Sequence, residues 1–405
     1  MAPSPAWSAM LRGRAFVGRC LRQASSEASK ELAWVPPGAD GQQHVQCTTR
    51  LRQGASANHQ VKDRGVGAGR TTRLTWEVKK LTSSLLPAEE EVRLRDEMVQ
   101  ELRRHVQVQI PGADLVPFGS VATGLWLPDR DVDLSLQVPG MPGRLESKQA
   151  LHRVASVIYA CSGDKPENRL TAKVPLLRWV PSQAASPCFD ITVNNALAVE
   201  NSRLVRAYLN AEPLLRELIV VIKTWASARR INDRSRGTLS SFALTLMALH
   251  LLQRRMVLPS LQDLAILHGC PRHDIMGADC RFSTDSGVIE KEKMKLASLR
   301  TVPAANLGAW LVDFFRFYGT QYKGGVIAIR SCLSSADLTF SGYAGRFYFV
   351  DNPFEPGTDV ANVEVGQLAR IREEFRAAYG ALRRGKPLEE LCRRHEGHGC
   401  DPGLW

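Results

Sequence analysis

The sequence has no apolar run near the roughly 18 to 20 residues that a helix needs to cross a bilayer. Its most apolar stretches, such as 214–222, are broken by charges, so a helical membrane protein is excluded and no membrane partner is expected. A disulfide framework is also missing: 9 cysteines, an odd number, are scattered from Cys20 to Cys400 over 405 residues, which points to a reducing compartment. Acid is in short supply. Against 53 lysines and arginines stand 41 aspartates and glutamates, a net charge of +12, so the expected partners are polyanions, nucleic acid first. With 23% charged and 44% hydrophobic residues and no internal repeat, collagen, coiled-coil fibre and wholesale disorder are excluded. The length suits two or three domains.

No acid occurs before Glu27, while Arg12, Arg14, Arg19 and Arg22 are interspersed with Trp7, Leu11, Phe16 and Leu21. This is transit-peptide composition, basic and amphipathic without a long apolar centre. Residues 1–35 are therefore expected to direct import into the mitochondrial matrix, the plainer alternative being a basic tail. Residues 36–70 are rich in Gly, Gln, Ala and Ser and read as linker.

Pro87 and the acids Glu89, Glu90 and Glu91 fit a helix start, and Leu94, Met98 and Leu102 continue it as an apolar stripe ending near Val106. A short strand is expected at 115–118. Residues 131–138 alternate, with Val132, Leu134, Leu136 and Val138 apolar and Asp131, Asp133, Ser135 and Gln137 polar, which predicts a half-buried strand with two carboxylates on its open face. A helix near 146–159 and strands at 173–180 and 188–194 complete a sheet domain of α/β or α+β type. Beyond Asn201 the patterns are helical, at 212–230, 239–254, 307–318 and 365–382. The expected division is 85–200 for the sheet domain and 201–405 for a mainly helical one.

The segment from Phe118 to Leu136 carries the chemistry. Gly119 and Ser120 end one strand, where backbone N–H groups and a hydroxyl can hold phosphate oxygens. Asp131 and Asp133 are two residues apart on the next strand, so their side chains point the same way, about 6 to 7 Å apart. Such a pair beside a phosphate-holding turn suits Mg²⁺, which takes a few carboxylates plus waters and substrate phosphates. Asp129, Asp131 and Asp133 also resemble the start of a calcium loop, but Leu134 and Gly140 stand where that loop needs Gly and Glu. Asp190, at a polar slot of the alternating run Phe189-Asp190-Ile191-Thr192-Val193, supplies the third carboxylate expected on an adjacent strand.

Gly119-Ser120, Asp131/Asp133 and Asp190 match the DNA polymerase β-like nucleotidyltransferases. Asp190-Ile-Thr-Val-Asn-Asn, Asn201-Ser202, Ile222-Lys223-Thr-Trp225, Arg230-Ile-Asn232-Asp233, Leu239-Ser240-Ser241-Phe242 and Pro353-Phe354-Glu355 narrow the resemblance to noncanonical poly(A) polymerases and terminal uridylyltransferases. With Thr123-Gly124-Leu125, the basic leader and the short interval from Asp133 to Asp190, the sequence looks most like the minimal kinetoplastid mitochondrial terminal uridylyltransferases. The resemblance implies an α+β fold, in which a polymerase β-like sheet domain and a mainly helical C-terminal domain form the active-site cleft. Residues 36–84 are then a linker and an N-terminal segment packing on the C-terminal domain.

The implied reaction adds UMP from UTP to an RNA 3′ end, in mitochondrial RNA processing or editing, with Mg²⁺ or Mn²⁺ as cofactor. The partners are UTP, the RNA and an RNA-editing complex. Asp131 and Asp133 would hold both ions and Asp190 the one that activates the RNA 3′-hydroxyl. Gly119, Ser120 and Lys223 would hold the triphosphate, Asn201 the ribose 2′-hydroxyl and Ser202 the uracil, with Phe242 stacking on the base beside Ser241, Asn352 and Glu355. Lys223 has support apart from the resemblance, because it interrupts an apolar stretch of its helix, the plainer alternative being a lysine whose stem covers apolar surface; read alone, Ser240, Ser241 and Phe242 are equally a helix cap and a core aromatic.

Three positions depart from the family pattern. The usual second lysine is Ser227, the usual stacking tyrosine is Phe242, and the acid before Pro-Phe is Asn352, with Asp351 displaced by one position. Two Cys/His groups, His268, Cys270, His273 and Cys280, and Cys392, His395, His398 and Cys400, lack regular zinc-finger spacing. The rival readings are a poly(A) polymerase, since carboxylates do not encode base choice, and a catalytically silent RNA-binding subunit. The charge surplus, with Arg383, Arg384, Lys386, Arg393 and Arg394 near the C-terminus, predicts RNA binding dominated by phosphate contacts. Its affinity is expected to fall about a hundredfold between roughly 50 and 200 mM salt, and a flat salt titration would refute this.

Overall fold

The computed structural model describes residues 67–140, 143–171, 174–182, 186–300, 306–330 and 347–393. The expected leader, the linker up to residue 66, and His395, His398 and Cys400 lie outside them. Helix α1 (Ala68–Leu85) is followed by α2 (Glu89–Gln109), β1 (Asp114–Pro117), the short helix α3 (Gly119–Thr123), β2 (Val132–Gln137) and α4 (Arg144–Ser162). Then come β3 (Glu167–Arg169), β4 (Leu176–Trp179), β5 (Phe189–Val193), α5 (Ala196–Ala211) and α6 (Leu215–Ala228). The rest comprises α7 (Ser241–Arg254), α8 (Leu261–Leu267), the two-residue strands β6 (Asp274–Ile275) and β7 (Ala278–Asp279), α9 (Ser286–Leu299) and α10 (Leu307–Arg316). Strands β8 (Val326–Ile327) and β9 (Phe349–Val350) precede α11 (Val365–Arg383) and α12 (Leu388–Cys392).

The main sheet has the order β1-β2-β5-β4-β3, with β2 and β5 parallel and the other pairs antiparallel. Val132, Leu134, Leu136, Phe189 and Ile191 are fully buried, so one face of the sheet is core, closed by α2 and α4. The opposite face carries the acids and is only half covered by α3 and α5. At its covered end Ser135 is buried beneath α5, its hydroxyl accepting from Asn195 N at 2.9 Å. The carboxylates lie at the other end of the same strands.

The helical half is built around α6 and α7. Eight residues of α6 from Leu218 to Ala228 are buried, and Ser240 starts α7 by accepting from Ala243 N at 2.9 Å. An aromatic cluster locks α6, α10 and α11, with Trp225 edge-on to Phe315 at 4.6 Å and to Phe375 at 5.0 Å.

Several sequence-based boundaries shift. Helix α5 runs through the expected division at 200/201, because Leu204, Val205 and Tyr208 on the same turns enter the helical core. Residues 68–70 are helical where linker was expected. Helix α1 was legible in principle, since Leu74, Val78, Leu81 and Leu85 lie at helical spacing; Leu74 and Val78 are buried and Leu81 and Leu85 pack against the core. Its partner is α10. Gly308 N donates to Thr75 Oγ1 at 2.9 Å, and a Cβ at Gly308 would overlap Thr71 O and come within 2.8 Å of Thr75 N. Gly308→Ala is therefore expected to destabilise the protein by about 1–3 kcal/mol and to open α1 to proteolysis first. Unchanged denaturant midpoint and cleavage pattern would contradict this contact.

Candidate active site

Parallel pairing of β2 and β5 places Asp133 directly beside Asp190, and antiparallel pairing of β4 and β5 places Arg178 beside Asp190 on the other side. Asp131 immediately precedes β2. Because side chains alternate along a strand, burial of Val132 and Leu134 on one face presents Asp131 and Asp133 together on the other. Gly119, at φ +62°, lies against them: a Cβ there would overlap the Asp133 carboxylate. This position is confined to glycine by its φ and by its acidic neighbour.

Arg178 was missed by the sequence reading. Its guanidinium bridges two of the acids, with Nη2 donating to Asp131 Oδ1 at 2.9 Å and Nη1 to Asp190 Oδ1 at 3.1 Å. The signal was present but uninterpretable before pairing: Leu177 and Trp179 are buried, so Arg178 shares the open face with Asp190. Burial, joined by repulsion from Asp190 and Asp131, pushes the Asp133 carboxyl up to about 7. Burial also raises Asp190, with Arg178 opposing.

Among the described residues no three His, Cys, Asp or Glu side chains converge as a ready set of metal ligands, because the guanidinium stands between Asp131 and Asp190. The donor chemistry nevertheless fits a hard divalent cation. It offers oxygen ligands only, a cluster of like charges that a cation would relieve, and a glycine that keeps the space beside Asp133 clear.

The helical half supplies the opposing groups. Lys223, the one basic residue in the otherwise apolar middle of α6, lies near enough to Asp133 and Arg130 to interact with both charges; burial pushes its ammonium down to about 8, with Arg130 adding to the fall. The Ser120 hydroxyl, in the first turn of α3, has no partner among the described residues. Two of the expected contact groups already have partners. Gly119 N–H donates to Ser202 Oγ at 2.8 Å, and that hydroxyl in turn donates to Ala198 O at 2.7 Å. Ser202 is thus buried and engaged in docking α3 on α5, its hydroxyl proton and one of its two lone pairs already used.

Asn201 and Asn352, both buried, meet with Asn201 Nδ2 donating to Asn352 Oδ1 at 3.4 Å. Asn352 Nδ2 donates to the exposed Glu355 at 2.7 Å, and Phe354 N donates to Asn352 Oδ1 at 3.2 Å. Asn201 Oδ1 is buried without a partner, an acceptor that a ligand hydroxyl would satisfy. Asp351 does not join this chain. Its Oδ1 accepts from Gly357 N at 2.7 Å, tying the loop that follows, and burial pushes it up to about 6. Phe242 is half-buried against the helical core, and Ser241 exchanges hydrogen bonds with Asn232 at 3.1 and 3.2 Å.

A cavity of about 610 Å³ includes Arg203, Arg206, Cys270, His273, Cys280 and Arg281 in its lining. It contains no member of the site above, and its cysteines and histidine form no metal-ligand group among the described residues.

The Asp133 shift has a measurable consequence. The folded state, with its carboxyl near 7, holds more protons than the unfolded chain with an ordinary carboxyl near 4. Stability of the metal-free protein from this group is then highest at low pH and falls as pH rises from about 4 to 7. In chelator, Asp133→Asn is expected to melt progressively higher than wild type as pH rises through this window. Parallel melting curves for the two proteins would remove the assignment.

Residues 74–210 match the family model described as the central palm domain of the mitochondrial-like poly(A) RNA polymerase. The chain is 27% identical over 330 residues to the poly(A) RNA polymerase cid11 of Schizosaccharomyces pombe, covering 79% of this chain and 65% of that one. It is 28% identical over 309 residues to the human poly(A) RNA polymerase GLD2, covering 72% and 60%. The chain thus spans less than two thirds of the length of these curated relatives. Among solved structures, the Cid1 poly(U) polymerase with MgGTP superposes with a TM-score of 0.66 at 26% identity, covering 80% of this chain and 99% of that one. The same enzyme with Mg 3′-dATP gives 0.65 at 26% identity, with the same coverage. The palm match and the ordered motifs running on into the helical half point one way: the chain has a polymerase β-like nucleotidyltransferase fold and is similar to the noncanonical poly(A) polymerases and terminal uridylyltransferases.

Proposed function

We propose that this protein transfers nucleotides from a nucleoside triphosphate to an RNA 3′ end, with UTP as the donor. The observation that carries the reading is the placement of Asp133 and Asp190 in register on adjacent parallel strands, with Asp131 beside them, near Lys223 of the helical half. Divalent ions bound there would neutralise charge at the α-phosphate and activate the RNA 3′-hydroxyl, as Lewis acids. The solved relative described with MgGTP supports Mg²⁺ in that role.

The chain's own residues divide the remaining work. Asp131 and Asp133 would hold both ions, and Asp190 the one that activates the RNA 3′-hydroxyl. Ser120 and Lys223 bind the triphosphate, whose negative charge favours the protonated lysine. Asn201 Oδ1 accepts from the ribose 2′-hydroxyl, which removes its unpaired state, and Phe242 gives the base an apolar wall. Glu355 keeps acceptor capacity after taking the Asn352 hydrogen bond and can receive the uracil N3–H. A second reading, ATP as donor, is favoured by the names of the curated relatives and by Glu355 being equally able to accept from the adenine amino group. The basic, acid-free residues 1–26 support action in the mitochondrion.

Labelled transfer onto a short single-stranded RNA with each of the four triphosphates in turn tests the reading. Asp131→Ala, Asp133→Ala and Asp190→Ala are each expected to abolish transfer, while Glu355→Ala narrows the preference for UTP over ATP. Asn201→Ala is expected to reduce discrimination between UTP and dUTP about tenfold. Full turnover by Asp131→Ala would sink the carboxylate assignment, and higher kcat/KM for ATP than for UTP would select the second reading.

A further inference from the structure

We infer that Arg130 is a second cation of the triphosphate site, reaching from the sheet domain to the cation-bearing face of α6; this rests on the nucleotidyl-transfer reading above. Arg130 precedes Asp131, and its backbone is fixed at both ends, with its N–H donating to Leu127 O at 3.0 Å and its carbonyl accepting from Trp126 Nε1 at 2.9 Å. Trp126 is itself buried beneath the Arg95 guanidinium, 4.8 Å above its ring. The turn is thus anchored in the sheet domain while the side chain extends from it.

That side chain ends at a neutral group. Arg130 Nη2 donates to Ser227 Oγ at 3.2 Å, and its sole ion pair among the described residues is with the exposed Asp129 at 3.4 Å. Much of its fork of N–H donors is left without a protein acceptor. Ser227 lies four residues after Lys223, one helical turn along α6, so the guanidinium is brought about one turn from the lysine. Two cations so placed repel each other, and Arg130 does lower the Lys223 ammonium. A polyanion with charges on successive groups, the β- and γ-phosphates of a nucleoside triphosphate, would relieve this. An ion pair serving only stability would instead have a carboxylate at the position of Ser227. The contact also joins the two halves, so triphosphate binding and their approach are coupled through one side chain.

The test measures Mg²⁺-dependent binding of UTP, UDP and UMP, and of the corresponding adenine series, to the wild-type protein, Arg130→Ala, Arg130→Lys and the double variant Arg130→Ala/Ser227→Lys. Arg130→Ala is expected to weaken triphosphate binding roughly tenfold and monophosphate binding less than about twofold. Arg130→Lys is expected to keep most of the affinity, and the double variant to recover triphosphate binding because it returns a cation to the same turn. In steady state the loss appears mainly in KM for the triphosphate, with KM for RNA unchanged. Wild-type triphosphate affinity in Arg130→Ala, an equal loss for monophosphates, no rescue by Ser227→Lys, or a loss confined to RNA would each overturn the inference alone. A wild type that binds neither triphosphate overturns it together with the functional reading.

Discussion

Three carboxylates held together against their own repulsion are the constraint around which this molecule is arranged. The sheet imposes the gathering: register between β2 and β5 leaves Asp133 and Asp190 side by side whatever their charges prefer. The rest of the sheet face answers that repulsion. Arg178 comes from the neighbouring strand to bridge Asp131 and Asp190, Gly119 leaves the space that the Asp133 carboxylate occupies, and Asp133 itself resists ionising. Such a cluster is destabilising in isolation and becomes useful when cations arrive. In the metal-free protein a guanidinium does part of what divalent ions would do.

The second wall of the site comes from helices whose own stability is independent of the acids. Helix α6 is apolar from Leu218 to Ile222, just before Lys223 emerges, and α7 is capped and buried without reference to any ligand. Placement of these helices relative to the sheet depends on α5, which leaves the end of β5 and enters the helical core. Ser202 docks α3 onto it through Gly119 N, so the turn carrying Ser120 is tied to the helix carrying Asn201.

The departures from the family pattern gain a physical reading. Where a second lysine is usual, Ser227 receives Arg130 from across the domain junction. Where an acid usually precedes Pro-Phe, Asn352 acts as both donor and acceptor, linking Asn201 to Glu355 in a single chain. That chain leaves one buried acceptor open, Asn201 Oδ1, which is the kind of defect native proteins retain at binding sites.

What the sequence alone determined is local. Alternation over 131–138 and 189–193 placed Asp133 and Asp190 on strands, with Asp131 at the edge of one, all on the polar face; Gly119-Ser120 marked the turn and a lysine in an apolar helix marked Lys223, because strand and helix periodicities are written in residues a few positions apart. Helix α1 was legible by the same rule and was obscured by the linker-like composition beside it. The tertiary structure alone decided the contacts between distant segments. Arg178 reaches Asp131 across 47 residues, Gly119 meets Ser202 across 83, Arg130 meets Ser227 across 97 and Asn201 meets Asn352 across 151. Each depends on strand register or on the packing of one half against the other, and no periodicity within a single segment records which side chain will stand opposite.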